Sequence, residues 1–302
     1  MSIQNFFIHR FLKSRRAKSL HLAPEQRLRQ GRKFLSRDYG KPHPHIDVRA
    51  DRIGGVPVEW VQPKGLQGKT QAPICLYFHG GGYIAGSLNS HRDMATTLAH
   101  LAQVRLLMVD YRLAPEHPFP AAHEDALAVY RALMAQGVDA SQLLMGGDSA
   151  GGNLALATAQ AVRDAGLPSP RGLVLFSPWL DLTHQGESIN SNSNSDAMLH
   201  RQLLDDALAM YAPHMPANDA RVSPLLGNLA GLPPCLTVVS LSEILRDDAL
   251  RLHDQLQAHG VASTCLTWKR TPHAFPVMAR LLPEARDALR QTADFMADVL
   301  RR

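Results

Sequence analysis

From residue 71 onward, the sequence alternates short apolar runs with longer amphipathic segments. This alternation is typical of a parallel sheet whose strands are joined by crossover helices. The apolar runs predict strands at 74–79, 106–111, 143–146, 173–177, 235–240 and 264–268. The amphipathic segments predict helices at 91–102, 121–136, 151–165, 246–258 and 283–300. The sequence therefore predicts an α/β fold with a mostly parallel central sheet and helices on both of its faces.

Three stretches lie outside this alternation. Residues 45–48 and 56–61 flank a Gly-Gly pair, which predicts an antiparallel hairpin at the edge of the sheet. Residues 1–43 are basic with a helical pattern, and residues 184–215 begin with a polar Ser/Asn stretch before they turn helical at 198–211. Open α/β sheets bind ligands beyond the carboxyl ends of their strands. We therefore predict that residues 1–43 and 184–215 form one helical cap there, on a catalytic domain of residues 44–302.

Composition and charge exclude several classes of protein. With 45% hydrophobic and 20% charged residues over 302 positions, the chain can bury a sizeable core and is not expected to be disordered. The net charge of +5 is accompanied by no recognition motif, so no nucleic-acid partner is predicted. The sequence has no apolar run of about 18 residues, so no membrane span is predicted. Three cysteines without CxxC spacing predict reduced thiols and a cytoplasmic location.

The beginning of the sequence carries an apolar stripe. Ile3, Phe6, Phe7 and Phe11 recur at helical spacing beside basic residues. Such a stripe either packs against its own protein or makes weak peripheral contact with a membrane surface, and both interpretations stay open at this point. The same segment lacks the long apolar stretch and the small-residue cleavage site of a secretory signal.

Residues 147–151 read Gly-Asp-Ser-Ala-Gly, which has the form G-x-S-x-G. A predicted strand precedes them and an Ala-rich predicted helix follows. A nucleophile in this setting sits on a sharp turn, where flanking side chains larger than hydrogen would collide with neighbouring backbone. The helix N-terminus also favours developing negative charge. The alternative is a glycine-rich turn that only packs a helix on a strand, but the strand and helix favour Ser149 as a nucleophile.

A run of three glycines, in residues 79–83, follows the first predicted parallel strand. The glycines allow backbone N–H groups to point into a site, and those of Gly81 and Gly82, with that of Ala150, are predicted to receive the oxyanion of a tetrahedral intermediate. A phosphate-binding loop is the competing interpretation, but no Gly-Lys-Ser/Thr follows. His79 is expected to brace the loop by hydrogen bonding.

A base and an acid should follow the nucleophile in the order Ser, Asp or Glu, His. His273 comes just after the last predicted strand, at the same sheet edge as Ser149. Glu243 is the first carboxylate after the preceding strand and is the favoured acid, with Asp247 as the alternative. Asp247 and Asp248 open a helix, where acidic residues are favoured whatever the function. The other histidines after the nucleophile are predicted to be surface or cap residues: His184, His200, His214, His253 and His259.

The combination of motifs resembles the hormone-sensitive-lipase-like esterases, family IV of the bacterial lipolytic enzymes, within the α/β-hydrolase superfamily. The resemblance is carried by HGGG at 79–82 and GDSAG at 147–151, and the stretches at 110–122 and 177–183 are also similar to family segments. It runs from about residue 44 to the end of the sequence. It implies the α/β-hydrolase fold with a helical cap.

The resemblance also bears on individual residues. The family usually has Asp-Pro-Leu-Arg-Asp where this chain has residues 243–247, so the acid again falls on Glu243, although glutamate is not the commonest residue there. Ala274 stands where a glycine is common. The three prolines of the 110–122 stretch predict a rigid loop, which a pair between Arg112 and Glu116 could hold.

These residues predict a serine carboxylesterase with Ser149, His273 and Glu243 as its triad and no metal or organic cofactor. The resemblance implies short- to medium-chain acyl esters as small-molecule substrates, and it favours a homodimer over a monomer. A lactone hydrolase or a small-molecule deacetylase using the same site is the alternative. A non-enzymatic receptor is disfavoured, because relatives of that kind have lost the histidine that is present here as His273.

Overall fold

A computed structural model of the chain describes residues 1–36, 43–69 and 71–302. Residues 37–42, which belong to the predicted cap segment 1–43, lie outside the described residues. One sheet has the strand order β1-β2-β4-β3-β5-β6-β7-β8. Its strands are β1 (Ile46–Ile53), β2 (Val56–Pro63), β3 (Ile74–Phe78), β4 (Arg105–Val109), β5 (Leu143–Asp148), β6 (Gly172–Phe176), β7 (Cys235–Ser240) and β8 (Ser263–Trp268).

The pairing of the strands confirms the predicted α/β fold. β1 and β2 form the predicted antiparallel hairpin, and β2 also pairs antiparallel with β4. All other neighbours in the sheet are parallel. Parallel strands need long crossover connections, and helices supply them here. The carboxyl ends of β3 and of β5 to β8 therefore meet along one edge.

The α-helices lie close to the predicted positions. They are α1 (Ile3–Ser19), α2 (Pro24–Leu35), α3 (Leu88–Ala102), α4 (Ala121–Ala135), α5 (Ala150–Asp164), α6 (Ser188–Ser191), α7 (Arg201–Tyr211), α8 (Arg246–Ala258) and α9 (Pro283–Arg301). α3 begins before the predicted residue 91 because Ser87 caps it, accepting a hydrogen bond from the Ser90 backbone N–H.

Helices cover both faces of the sheet, because successive side chains of a strand point to opposite faces. Leu76 and Phe78 of β3 share one apolar core with α4, α5 and α8. Cys75 and Tyr77, the alternating residues, share the other core with α3 and α9. β3 is buried along its whole length, as expected for a strand in the middle of a parallel sheet. Cys75, Cys235 and Cys265 are free thiols.

The predicted cap segments contact each other. The Arg16 guanidinium on α1 donates to the backbone carbonyls of Ser193 and Leu199. Arg27 on α2 forms a buried ion pair with Asp206 on α7. A single cap requires such contacts, but the division of the chain into cap and catalytic domain stays a prediction.

The predicted pair between Arg112 and Glu116 is wrong. Arg112 instead binds Asp125 in the first turns of α4, through its guanidinium and its backbone N–H, at 2.8 Å in each case. Glu116 binds Arg32 of α2 at 2.6 Å. The reason is that residues four apart share a face only in a helix, whereas this proline-containing loop is not helical.

No helix among the described residues combines the length and the apolar character needed to cross a membrane.

Candidate active site

Ser149 occupies a sharp turn between β5 and α5. Its φ of 52° and ψ of −120° lie outside the regions that L-residues usually adopt. A Cβ on Gly147 would lie 2.2 Å from the carbonyl oxygen of Gly151, and a Cβ on Gly151 would lie 2.0 Å from that of Phe78. The predicted collision of flanking side chains with backbone is therefore confirmed. The turn leaves Ser149 partly exposed while its neighbours Asp148 and Ala150 are buried.

Four polar residues follow four neighbouring strands. Ser149 follows β5, Ser177 follows β6, Glu243 follows β7 and His273 follows β8. Because these strands are parallel and adjacent, the four residues lie along the same edge of the sheet.

His273 and Glu243 approach each other in the interior. Nδ1 of His273 lies 3.5 Å from Oε1 of Glu243, which is ion-pair distance but longer than the 2.7–3.2 Å of a well-formed N–H···O hydrogen bond. The two residues are only 4% and 1% exposed. With Nδ1 facing the carboxylate, Nε2 of the imidazole is left for another partner.

Burial and charge act in opposite directions on this pair. Burial disfavours the imidazolium, but the carboxylates around it, Glu243 foremost with Asp196 and Asp148, together outweigh burial and raise the pKa of His273 above 6.5. Burial raises the pKa of Glu243, and the charge of His273 opposes that rise. The carboxylate thus stabilises the charged form of the imidazole.

Asp247, the alternative acid, is occupied elsewhere. Its carboxylate accepts a 2.8 Å hydrogen bond from the Ser188 backbone N–H and pairs with Arg246 at 2.8 Å. Asp248 accepts hydrogen bonds from the backbone N–H groups of Leu180 and Asp181. Of these three carboxylates, Glu243 is the one at ion-pair distance from His273.

Ser177 was not among the predicted site residues. Its hydroxyl donates a 2.8 Å hydrogen bond to Oε2 of Glu243 and accepts a 3.0 Å hydrogen bond from the backbone N–H of Ala274. Ser177 therefore links Glu243 to the residue after His273. The signal in the sequence was its position as the last residue of a predicted strand, 173–177, that ends at the same edge.

Two glycines of the HGGG loop turn their N–H groups out of the loop. In a trans peptide, the C=O of one residue and the N–H of the next point in opposite directions. The Gly80 carbonyl accepts from Nδ1 of His79 at 2.9 Å, and the Gly81 carbonyl accepts from the Ala85 backbone N–H at 3.0 Å. The N–H groups of Gly81 and Gly82 consequently face away from these donors.

The Ala150 amide has a similar orientation. The Ser149 carbonyl accepts hydrogen bonds from the backbone N–H groups of Asn153 and Trp179, both at 3.1 Å, so the Ala150 N–H points the opposite way. As the first residue of α5, Ala150 also has no partner for its N–H within the helix.

A buried ion pair holds the glycine loop and the turn at Ser149 together. Asp148 pairs with His91 at 3.1 Å, and its carboxylate accepts hydrogen bonds from the Gly80 backbone N–H and the Tyr77 hydroxyl. Burial opposes the charge of Asp148, but His91, His79 and the Tyr77 hydroxyl together outweigh burial and lower the pKa of Asp148. Burial likewise opposes the charge of His91. The charge of Asp148 and its hydrogen bond to His91 oppose this effect, and the pKa of His91 is raised. Sequence reasoning missed this pair, because 57 positions separate the two residues.

His79 braces the loop as predicted. In addition to its bond to Gly80, its ring stacks on Tyr111 with a centroid separation of 4.4 Å. Burial, together with neighbouring His91, lowers the pKa of His79 to about 4. The ring is therefore neutral near pH 7, which suits a bracing role.

The polar segment that begins the second predicted cap piece is tied to the loop that carries Glu243. Nδ2 of Asn192 donates to the Leu241 and Glu243 carbonyls, and Asp196 accepts a 2.8 Å hydrogen bond from the Ile244 backbone N–H. These contacts account for the Ser/Asn content of the segment, because short polar side chains satisfy the backbone groups of a buried loop.

Two histidines expected at the surface or in the cap are buried. His184 accepts a hydrogen bond from the indole N–H of Trp179 and pairs with Asp205, and His200 caps α7 next to Ser19. Neither contacts Glu243. In the part of the chain that the structure describes, no group of three or more His, Cys, Asp or Glu side chains is arranged to hold a metal ion.

Known proteins share this architecture. Residues 75–277 match the protein family described as alpha/beta hydrolase fold. An esterase of Acinetobacter venetianus is 37% identical over 254 residues, which are 84% of this chain and 82% of that protein. An acetyl-hydrolase of Streptomyces hygroscopicus is 38% identical over 248 residues, 81% of this chain and 80% of that protein. The crystal structure of an esterase from the bacterial hormone-sensitive lipase family superimposes with a TM-score of 0.90 at 34% identity, covering 99% of each chain.

The fold, with these relatives, defines a carboxylic ester hydrolase. The chain belongs to the α/β-hydrolase fold family and, within it, to the hormone-sensitive-lipase-like esterases.

Proposed function

We propose that this carboxylesterase acts through Ser149 as nucleophile, His273 as general base and Glu243 as the acid that orients the base. The observation that carries the proposal is the buried contact between His273 and Glu243, at the same sheet edge as the strained turn of Ser149. An imidazole that faces a carboxylate through Nδ1 can accept a proton at Nε2.

The reaction is acyl transfer to water. Oγ of Ser149 attacks the ester carbonyl while Nε2 of His273 takes the hydroxyl proton, and Glu243 stabilises the resulting imidazolium. The negative charge that develops on the carbonyl oxygen is received by the backbone N–H groups of Gly81, Gly82 and Ala150.

In each half-reaction His273 first accepts a proton and then donates it. His273 returns the proton to the leaving alcohol as the ester bond breaks, which leaves an acyl group on Ser149. Water then attacks the acyl-enzyme, with His273 again taking and returning the proton. The acid is released and Ser149 is restored without any cofactor.

The proposed substrates are esters of short- to medium-chain acids. Removal of acetyl groups is the second candidate, because one of the similar proteins is an acetyl-hydrolase. A series of p-nitrophenyl esters from acetate to decanoate separates the two. A maximum of kcat/KM at butyrate to octanoate supports the first candidate, and a steep fall from acetate to butyrate supports the second.

The test of the nucleophile is Ser149→Ala, with Ser141→Ala as a control because Ser141 is exposed and precedes β5. We expect kcat for p-nitrophenyl butyrate to fall by roughly 10⁴–10⁶-fold in Ser149→Ala and to be unchanged in the control. A phenylmethylsulfonyl fluoride adduct, mapped by peptide mass spectrometry, should appear on Ser149 in the wild type. Substantial turnover by a folded Ser149→Ala protein would refute the assignment.

A further inference from the structure

Large apolar side chains are exposed mainly at one place in this molecule. Among residues 1–36, 43–69 and 71–302, nine large hydrophobic residues are exposed, and six of them lie within the first twenty positions. Ile3 is 75% exposed, Phe7 66%, Phe11 55% and Phe6 45%. We call these four residues the aromatic face of α1. Single exposed apolar residues are ordinary, but a contiguous patch of this kind marks an interaction site.

The aromatic face points outward because the opposite face of α1 is bound to the protein. Ile3, Phe7 and Phe11 are four positions apart and therefore share one side of the helix. On the other side, Nδ2 of Asn5 donates to the Arg270 carbonyl, and Arg16 binds carbonyls in residues 193–199. Of the two interpretations of this stripe, packing against its own protein is therefore wrong for these four residues.

The charged residues of the segment that carries the aromatic face are all cationic. Residues 1–24 contain five Lys and Arg and no Asp or Glu, whereas the whole chain has 32 and 27. The remaining 278 residues thus carry 27 charges of each sign, and the net charge of +5 resides in residues 1–24. Of the five cations, Arg10, Lys13 and Lys18 are exposed.

We propose that α1 docks this enzyme on an anionic lipid surface. Phenylalanine side chains insert at the boundary between headgroups and acyl chains, and each nearby Lys or Arg adds about 1 kcal/mol of attraction to anionic lipid. A second copy of the chain fits the face less well, because two α1 helices, which contain no Asp or Glu, would bring like charges together.

The experiment is co-sedimentation of the full chain with large unilamellar vesicles. Vesicles of phosphatidylcholine alone are compared with vesicles containing 30% phosphatidylglycerol, at about 0.1 M and 0.5 M salt, because salt screens the attraction. We expect binding to the anionic vesicles at the lower salt, and binding at least about tenfold weaker to phosphatidylcholine or at the higher salt.

Variants separate the aromatic face from charge alone. The double variant Phe7→Ser/Phe11→Ser should weaken binding to anionic vesicles at least about tenfold. The matched control is Leu226→Ser, since Leu226 is an exposed apolar residue outside α1, at 41% exposure. It should bind as the wild type does. Hydrolysis of p-nitrophenyl butyrate without vesicles checks that each variant is folded.

Three outcomes overturn the proposal. The first is no binding of the wild type to anionic vesicles. The second is unchanged binding of a folded Phe7→Ser/Phe11→Ser variant. The third is a dimer, detected by light scattering, that the same double substitution dissociates, since the aromatic face would then bind a second copy. None of these results depends on the assignment of the catalytic residues, because vesicle binding is measured separately from ester hydrolysis.

Discussion

The hydroxyl of Ser177 donates a 2.8 Å hydrogen bond to Glu243, on the carboxylate oxygen opposite the one that faces His273. The carboxylate is thus held from one side by Ser177 while its other oxygen approaches the imidazole. Because Ser177 touches neither substrate nor the reacting atoms in the proposed mechanism, it is a positioning residue. Its effect should appear in the chemical step.

Substituting Ser177→Ala removes this hydrogen bond and leaves Glu243 less well oriented. A hydrogen bond to a charged group contributes about 1.5–3 kcal/mol, so we expect kcat to fall by roughly 10–100-fold, with KM little changed. The control is Thr292→Val, which removes an equally buried hydroxyl from α9. Steady-state kinetics with p-nitrophenyl butyrate measures both. Equal losses in the two variants would assign Ser177 a purely structural role.

The acid should control the pH dependence of the base. His273 must be neutral to accept a proton, and Glu243 raises the pKa of His273 above 6.5, so kcat/KM should decline as pH falls through a value above 6.5. In Glu243→Gln, the carboxylate charge is lost, so the acidic limb of the profile, in which kcat/KM declines as pH falls, should move to lower pH. We also expect kcat to fall by about 10²–10⁴-fold. Profiles from pH 5 to 9 measure both effects.

The control for that profile is Asp247→Asn, which changes the alternative acid. Asp247 binds Ser188 and Arg246, so its substitution should leave the position of the limb unchanged. A limb that moves in Asp247→Asn and stays in place in Glu243→Gln would assign the acid to Asp247 instead.

Gly81 is predicted to tolerate no side chain. Its φ is +126°, and a Cβ there would lie 2.2 Å from the Ala85 carbonyl oxygen, so Gly81→Ala must displace the loop that carries two proposed oxyanion donors. Loss of one such donor costs about 10²–10³-fold in kcat. Gly137→Ala is the matched control, because Gly137 also has a positive φ, +79°, but open space around it. If both variants retain full kcat, the proposed oxyanion loop is wrong.

The buried pair of Asp148 and His91 should make stability depend on pH. Because the pKa of Asp148 is lowered in the folded protein, its carboxylate stabilises the fold at pH values above 3.8, the ordinary pKa of aspartate. This stabilisation is lost as the pH falls through the pKa that Asp148 has in the folded protein. Because the pKa of His91 is raised in the folded protein, its imidazolium stabilises the fold fully at pH values below 6.5. This stabilisation is lost as the pH rises through the pKa that His91 has in the folded protein. The stability gap between wild type and Asp148→Asn should therefore be largest between pH 3.8 and 6.5.

Urea unfolding at pH 5.5 and pH 8.5 measures that gap. We expect Asp148→Asn to lower the free energy of unfolding by about 1–3 kcal/mol at pH 5.5, with a smaller difference at pH 8.5. The control is Asp298→Asn, which breaks an exposed pair with Arg301 and should cost less than about 1 kcal/mol at either pH. A gap that does not change with pH would contradict the ion pair.

The strands were predictable because buried strands of a parallel sheet are short apolar runs in the sequence. The predicted strands at 74–79 and 235–240 agree with β3 and β7 to within one residue, since both are buried on two faces. Local sequence also predicts the turn at Ser149, because a Cβ on Gly147 would collide with the carbonyl of Gly151, four positions away. The clash at Gly151 instead involves Phe78 of a different strand. Helix ends were less accurate. The second helical segment begins at Arg201 rather than 198, because His200 caps it through its side chain.

By itself, the sequence determined the parallel sheet, the order of the strand-end residues and the need for glycine at position 147, because hydrophobic periodicity and backbone sterics act over a few neighbouring residues. Only the tertiary structure decided which distant groups meet. Ser177 reaches Glu243 across 66 positions, and Arg112 pairs with Asp125 rather than Glu116. It also decided that the aromatic face of α1 points outward, since helical spacing defines a stripe but the contacts of the opposite face determine its direction.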